Sequence, residues 1–176
     1  GFAFRQSWPT HIAIRDSQHI KIKKCDFEDA TFAIGAAGMT TRHIKVHKCT
    51  WLQDTEPGRI WTKIPWQAIH GAPPEDPPVN VAQDWRLFDG DFFRGEEIAG
   101  DVEISHCRIG QAFNAIHLFN DHRRPDLCRN VHVHHCVFFE IRDNVFEAEQ
   151  SAANWWFHHN VIVNCHKWFS FELFHN

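Results

Sequence analysis

The 176-residue chain contains no tyrosine, although it holds 16 phenylalanines, 8 tryptophans and 15 histidines. The absence of tyrosine excludes every mechanism in which a phenol acts as the acid or the base. Aromatic side chains without a phenolic hydroxyl supply large apolar surfaces that need no partner for such a group. Other side chains must therefore carry any proton chemistry.

Three further features are missing from the chain. No apolar run approaches the ~18 residues of a membrane span, and the first residues lack the basic start and long apolar stretch of a signal peptide. A formal charge of -4 and an isoelectric point near 6.4 argue against a general nucleic-acid binder. We expect one domain over residues 1–176, with no membrane span and no nucleic-acid partner.

A nine-residue phrase recurs five times along the chain. It starts with a polar residue, has apolar residues at its second and fourth positions, and ends on a bulky apolar residue. Its seventh position, here called the slot, is filled by cysteine or asparagine. The copies are residues 19–27, 43–51, 101–109, 130–138 and 154–162, and their slots hold Cys25, Cys49, Cys107, Cys136 and Asn160.

The phrase predicts a stack of rungs, each built from two or three short strands. Alternation of apolar and polar residues is typical of a half-buried strand, and repeats of 20 to 50 residues are typical of stacked architectures. A second apolar column is predicted nine residues after the slot. Its members are Ile34, Ile116, Val145 and Phe169.

The 58-residue gap after Cys49 predicts one hidden rung at residues 85–92, with Gly90 in the slot. The remainder, about residues 52–80, is rich in proline and tryptophan, and we expect it to be an insertion loop outside the sheets. Six to seven rungs result.

Four of the six cysteines share the slot, which favours a ladder of buried free thiols over disulfides. Cys128 and Cys165 lie outside the slot and are left as either a pair or two free thiols. Cysteine usage therefore leaves the redox compartment open.

In this coil pattern, most clearly in residues 130–138, the chain resembles the right-handed parallel β-helix proteins of the pectate-lyase-like superfamily, from Ile12 to Leu173. The resemblance implies an all-β solenoid that binds a long polysaccharide along an open groove. It also implies a secreted or periplasmic protein. The chain stops directly after a predicted strand with no polar cap, so we expect it to be a fragment of a longer protein.

Outward positions of the first strand in each rung form a stripe of cations, histidine and tryptophan. The stripe predicts a track for an acidic polysaccharide; the alternative is simple repetition of polar surface positions. Its predicted substrate-binding residues are Lys23, Lys45, His47, His106, His134, His135, His158 and Trp156.

A metal is a second interpretation of the histidines in the stripe. Adjacent His134 and His135 are expected to point in different directions, whereas the cross-rung set His106, His135 and His159 can converge on one ion.

A catalytic site is predicted around the long turn at residues 119–126. Arg123 and Arg124 are suited to clamping carboxylates, and His117 or His122 to moving protons near neutral pH. The alternative is a solvated turn.

The next rung carries Asp143, Glu147 and Glu149. Column alignment puts Glu147 in the apolar column of Leu118 and Phe171, and such a departure from local consistency is typical of functional sites. The three carboxylates are candidate Ca²⁺ ligands or an acid–base pair; the alternative is a bulge that turns both glutamates to water.

Taken with the resemblance, these residues indicate a polysaccharide lyase or C5-epimerase that abstracts the C5 proton of a uronate. Arg123, Arg124 or bound Ca²⁺ would neutralise the uronate carboxylate, and a histidine or arginine would be the base. A glycoside hydrolase on the same fold, a non-catalytic glycan-binding or adhesin-like β-helix, and a structural fibre remain alternatives. The oligomeric state stays open.

Overall fold

The computed structural model describes residues 1–55, 69, 89–120, 124–150 and 152–173. The described residues form strands β1 to β17 in three sheets. Sheet A contains β1 (Ala3–Arg5), β4 (Asp26–Glu28), β7 (Thr50–Leu52), β10 (Arg108–Ala112), β13 (Val137–Ile141) and β16 (Val161–Val163). Sheet B contains β2 (Thr10–Arg15), β5 (Phe32–Ala37), β8 (Phe93–Glu96), β11 (Ile116–Phe119), β14 (Asn144–Gln150) and β17 (Lys167–Leu173). Sheet C contains β3 (Gln18–Lys23), β6 (Arg42–His47), β9 (Gly100–Ser105), β12 (Arg129–His134) and β15 (Ala153–His158).

All strand pairs in the three sheets are parallel, and each sheet takes every third strand of the chain. The backbone therefore winds as a coil in which one turn contributes one strand to each sheet. Rungs one to five are β1–β3, β4–β6, β7–β9, β10–β12 and β13–β15, and rung six is β16 with β17. This architecture is a parallel β-helix, as the repeat predicted. Among the described residues, no helix has the length and apolar character needed to cross a membrane.

The predicted slot residues do stack in a single file. The backbone N–H of Cys49 lies 3.5 Å from Sγ of Cys107, and that of Cys107 lies 3.4 Å from Sγ of Cys136. Asn160 continues the file, because its Oδ1 accepts a 2.9 Å hydrogen bond from Cys136 N–H. Cys25 joins at the other end, where its carbonyl accepts from the backbone N–H of Thr50.

All six cysteines are free thiols, so Cys128 and Cys165 do not pair. Cys128 is buried and donates to the carbonyl of Phe119 at 3.3 Å, whereas Cys165 is half-buried.

Apolar columns fill the interior of the coil. Phe27, Trp51, Ile109 and Phe138 are register partners on sheet A, and all four are fully buried. Each such side chain stabilises the fold by roughly 1.5–3 kcal/mol relative to exposure. The core clusters around these columns and equivalent ones on sheets B and C, which fixes the register of the outward-facing side chains.

The corners of the coil use left-handed backbone. The polar residue that leads each phrase has φ between 54° and 60°, at His19, His43, Asp101, Asn130 and Asn154. Histidine, aspartate and asparagine tolerate this conformation better than most other residues. The residue before each slot has φ between 53° and 56°, at Lys24, Lys48, His106, His135 and His159. The polar first residue of each phrase therefore lies where the chain turns into a strand of sheet C.

The predicted hidden rung between Cys49 and Cys107 does not exist. Strand β7 pairs directly with β10, and β6 pairs directly with β9, which leaves no place for a strand between them. The insertion instead joins β7 to β8 within rung three. Gly90 is outside the slot, because it lies between sheets A and B, where its carbonyl accepts from Asn114 N–H. Residues 85–88 of the predicted rung at 85–92 lie outside the described residues.

Rung five contains one residue more than its neighbours between sheets A and B. Ala112 of rung four pairs with Ile141 of rung five, and Ile116 pairs with Phe146. The stretch from Ile141 to Phe146 is therefore one residue longer than the stretch from Ala112 to Ile116. Phe146, and not the predicted Val145, therefore occupies the apolar column of sheet B.

The prediction that Glu147 lies in the apolar column of Leu118 and Phe171 is wrong for the same reason. Ala148 takes that place, and Glu147 pairs with His117 and Ser170. A slip of one residue moves a strand's side chains to the opposite face of its sheet. Glu147 thereby joins a polar column on the outer face of sheet B.

Candidate functional site

The candidate site is a column of charged residues on the outer face of sheet B. Arg94 on β8, His117 on β11 and Glu147 on β14 are register partners on three neighbouring strands. In the two preceding rungs the same column holds Ala13 and Gly35. The small residues end where the charged ones begin, so the column carries charged side chains only from rung three onwards.

His117 lies at the centre of this charged cluster, and its side chain is 8% exposed. Its Nδ1 is 3.1 Å from Nη1 of Arg94, 3.6 Å from Oε2 of Glu147 and 3.7 Å from Oδ1 of Asp91. Its Nε2 is 3.5 Å from Oε2 of Glu149. One imidazole ring thus faces three carboxyl groups and one guanidinium.

The surrounding carboxylates decide the charge of His117. Burial alone would lower the pKa of this imidazole, but the contact with Asp91 and the charges of Glu149 and Glu147 outweigh burial and raise the pKa to about 10. The imidazolium is therefore the resting form at neutral pH.

The neutral form of His117 also has partners. Arginine can only donate, so the 3.1 Å contact from Arg94 requires a lone pair on Nδ1 and a proton on Nε2, which faces Glu149. The imidazolium instead directs an Nδ1 proton towards Asp91 or Glu147. Since the Nδ1 proton and the Arg94 N–H cannot both point along the 3.1 Å contact, gain of the second proton moves one of these two side chains.

Glu147 and Glu149 differ in pKa although they are two residues apart on β14. Burial raises the pKa of Glu147 to about 7, with help from the nearby charges of Asp91 and Glu149, against the opposing effect of His117. A hydrogen bond and the charge of His117 lower the pKa of Glu149 below its ordinary value. Asn144 fixes Glu147 by donating from Nδ2 to Oε1 at 2.8 Å.

Arg94 is held rigidly in this cluster. It donates to Oδ2 of the fully buried Asp91 at 3.1 Å, and its guanidinium lies 4.6 Å from the ring centre of Phe119 and 5.4 Å from that of Phe32. Burial lowers the pKa of Arg94, but the charge of Asp91 more than compensates and raises it. The pair supplies a fixed positive group beside His117.

The cluster opens into a pocket of about 670 Å³. Its lining residues are Asp89, Arg94, Asn114, His117, Arg142, Asp143, Asn144, Glu147, Glu149, His166, Lys167 and Glu172. Oδ1 of Asn144 is buried and has no hydrogen-bond partner in the part of the chain that the structure describes, and Nε2 of His117 has only the 3.5 Å ion-pair contact with Glu149. Incompletely satisfied polar atoms in the lining of an open pocket are suited to binding a polar ligand or water.

The structure brings together three of the predicted catalytic residues, His117, Glu147 and Glu149. His122 and Arg123 lie outside the described residues. Arg124 pairs with Asp126, contacts Sδ of Met39 at 3.2 Å, and is not among the described residues that line the pocket.

Asp91 and Arg94 belong to the cluster and were missed by the sequence prediction. Pairing Phe93 with Ile116 would have found Arg94 beside His117. The assignment of residues 85–92 to a hidden rung concealed that alignment.

The predicted Ca²⁺ ligands Asp143, Glu147 and Glu149 line the same pocket. Glu147 and Glu149 are both engaged by His117, whose positive charge competes with a cation at that position. Calcium binding there stays a prediction.

The predicted substrate-binding stripe follows the register of sheet C, on a different sheet from the pocket. Two of its polar residues are paired with neighbours: Lys45 donates to Glu103 at 2.7 Å, and His47 Nδ1 lies 2.9 Å from Ser105 Oγ. Trp156 is 60% exposed. The remaining predicted members Lys23, His106, His134, His135 and His158 lie along the same stripe or at its corner with sheet A.

Two expectations about the histidines differ from the structure. His134 and His135 do meet, with their Nδ1 atoms 2.8 Å apart, because the left-handed backbone at His135 turns its side chain back towards the strand. His106, His135 and His159 stack face to face, with ring centres 5.0 and 4.9 Å apart. The described metal-ligand group that converges is a different one, His132, His134 and His158.

No family model matches the chain, and no curated protein and no solved structure matches it.

Proposed function

We propose that the protein is a glycoside hydrolase that cleaves an acidic polysaccharide in the sheet B pocket. The carrying observation is that two glutamates of one strand have different surroundings: Glu147 is buried, which raises its pKa, and Glu149 lies 3.5 Å from Nε2 of His117, which lowers its pKa. Glycosidic hydrolysis needs one carboxylic acid and one carboxylate near the scissile bond, and their pKa values are set apart by environment.

Glu147 is the general acid in this proposal. With a pKa of about 7 it carries a proton in a large fraction of molecules near neutral pH, and it gives that proton to the leaving glycosidic oxygen. Glu149 stays ionised and takes a proton from the attacking water as the water oxygen bonds to the anomeric carbon. His117 holds the negative charge of Glu149 in place through its Nε2.

An acidic substrate is supported by the cations at the pocket wall. Arg142 and Lys167 line it together with Arg94. The pectate-lyase-like resemblance supports a polysaccharide, because proteins of that superfamily mostly act on long glycans along the outside of the coil. The pocket lies on such an outer face.

A lyase or C5-epimerase is the second candidate, supported by Arg94 next to His117. In that reaction Arg94 would offset the uronate carboxylate and neutral His117 would take the C5 proton. Since the pKa of His117 is raised to about 10, this route predicts activity that increases up to strongly alkaline pH. The hydrolase route predicts a decline as Glu147 loses its proton near pH 7.

The test is a screen of uronic-acid polysaccharides and neutral glycans with two assays, reducing ends and the ultraviolet absorbance of unsaturated products, between pH 4 and pH 11. We expect new reducing ends without absorbance. Glu147→Gln should lower the rate by about 10²–10⁴-fold. Glu28→Gln, a substitution at the sheet A ion pair with Arg5, is the matched control and should leave the rate unchanged.

Three results would contradict the proposal. Unsaturated products that increase towards pH 10 would favour the lyase, and loss of that activity with chelator would support the Ca²⁺ prediction. Glycan binding without turnover would favour the non-catalytic alternative. An unchanged rate in Glu147→Gln would remove the assigned acid.

A further inference from the structure

Three histidines converge on the outer face of sheet C. His132 and His134 lie two residues apart on β12, so they share one face of the strand, and His158 on β15 is the register partner of His134. One nitrogen from each ring lies within 4.8 Å of the other two. This cluster, here called the histidine triad, is on a different sheet from the pocket of the proposed hydrolase.

The spacing of the triad suits a small metal ion. Nε2 of His132 and Nε2 of His158 are 2.7 Å apart. Two nitrogens bound to one tetrahedral Zn²⁺ at about 2.0–2.1 Å each are separated by roughly 3.3 Å. A ring movement of a few tenths of an ångström therefore converts the present contact into a shared coordination sphere.

The second ring nitrogens of two triad members already have partners. Nδ1 of His158 contacts Nδ1 of His159 at 2.6 Å, and Nδ1 of His134 contacts Nδ1 of His135 at 2.8 Å. His134 also has Nε2 3.6 Å from Oε1 of Glu103. The Nδ1 partners orient these imidazoles and leave Nε2 for the ion, and the carboxylate of Glu103 adds a negative charge beside Nε2 of His134.

The faces of the triad are covered by stacked rings. The indole of Trp156 stacks on His132 with ring centres 4.6 Å apart and planes within 4°, and His134 stacks on His158 at 5.0 Å. Stacking keeps the three rings close together. Because an imidazole binds a metal in the plane of its ring, His134 or His158 must turn out of the parallel stack for both to reach one ion.

We propose that His132, His134 and His158 form a binding site for a divalent transition metal, with Zn²⁺ as the ion that fits three imidazoles best. Three histidines leave one tetrahedral position for water or for a ligand atom of a bound molecule. The exposed Trp156, which stacks on His132 with one face, offers its other face to such a molecule.

The test is Zn²⁺ titration of the metal-stripped protein against a chromogenic chelator, together with Co²⁺ titration followed by visible absorption. We expect one tight site per chain and an absorption band of tetrahedral Co²⁺. His158→Gln should weaken binding at least 100-fold, and Glu103→Gln, which keeps the ligands, should weaken it about tenfold. His19→Gln, at an exposed histidine of β3 on the same sheet, is the matched control and should bind as the unsubstituted protein does.

Equal Zn²⁺ affinity in His158→Gln and in the unsubstituted protein would overturn the proposal, as would a loss equally large in His19→Gln. Absence of micromolar binding by the unsubstituted protein would also overturn it. Circular dichroism of each variant shows whether it folds. If His158→Gln does not fold, His132→Asn removes a different ligand of the triad and tests the same expectation. None of these outcomes depends on glycan turnover, so they leave the hydrolase proposal to its own test.

Discussion

Replacing His117 by glutamine removes the positive charge from the centre of the sheet B cluster. Glutamine has nearly the same reach and retains hydrogen-bonding groups, so the change isolates the charge from the packing. It leaves the buried Asp91 and Glu147 and the half-buried Glu149 with Arg94 as the nearest cation. We expect a large loss of stability and a changed dependence on pH.

The magnitude follows from the pKa of His117. A rise from 6.5 to about 10 corresponds to roughly 4–5 kcal/mol of favourable interaction in the folded state, at about 1.4 kcal/mol for each tenfold change in proton affinity. The side chain is 8% exposed, so solvent screening reduces this value little. Removing one partner from a buried ion pair typically costs about 3–5 kcal/mol of stability, and this range agrees with the value obtained from the pKa of His117. We expect His117→Gln to lower the free energy of unfolding by about 4 kcal/mol at pH 7.

The pH dependence has a definite sign. Because folding raises the pKa of His117, its contribution is complete below about pH 6.5 and is lost as pH rises through about 10. Glu147 acts in the same direction at lower pH, since its pKa is raised and its ionisation between 4.5 and about 7 opposes folding.

Urea unfolding followed by tryptophan fluorescence at several pH values tests both statements. Stability should fall from pH 7 to pH 10 more steeply in the unsubstituted protein than in His117→Gln, so the two curves converge. A gap between them that stays constant up to pH 10 would refute the assignment of a charged His117.

Three further predictions concern the coil. Phe138→Ala should lower the free energy of unfolding by about 3–5 kcal/mol, because it leaves a cavity at a fully buried position. Phe139→Ala, on the opposite face of the strand, should lower it far less. Equal losses of the two variants in urea unfolding would contradict the inward apolar columns. Gly100→Ala should prevent normal folding, because φ is +118° and the new Cβ would lie 1.9 Å from the carbonyl oxygen of Arg129; a native-like circular dichroism melt would count against the corner geometry. A thiol reagent should modify Cys165 quickly in the native protein and the buried cysteines only after unfolding; rapid native modification of several thiols would exclude the ladder.

The sequence was sufficient to predict the coil because the residues that repeat are those that contact the neighbouring rungs. Cys25, Cys49, Cys107 and Cys136 recur since each must fit the same narrow place beside the backbone of the next rung, and Asn160 fits because its amide satisfies that backbone. The inward columns of sheets A and C were predicted residue by residue for the same reason.

The site was predicted only in part, because it depends on two departures from the repeat. The extra residue of rung five moves Glu147 to the outer face beside His117, and a fixed spacing from the slot cannot reveal it. The insertion joins two strands of one rung, so Asp91 and Arg94 come next to His117 after a segment whose length conceals the alignment. Where rungs differ in length, the register of the sheets decides which side chains meet.

Carbon-detected NMR titration of the carboxyl groups of Glu147 and Glu149 tests the central claim most directly, since it needs no substrate. The account predicts two separate transitions, one near pH 7 for Glu147 and one below pH 4.5 for Glu149. A common transition near 4.5, or the reverse order, would contradict the division of these glutamates into acid and base.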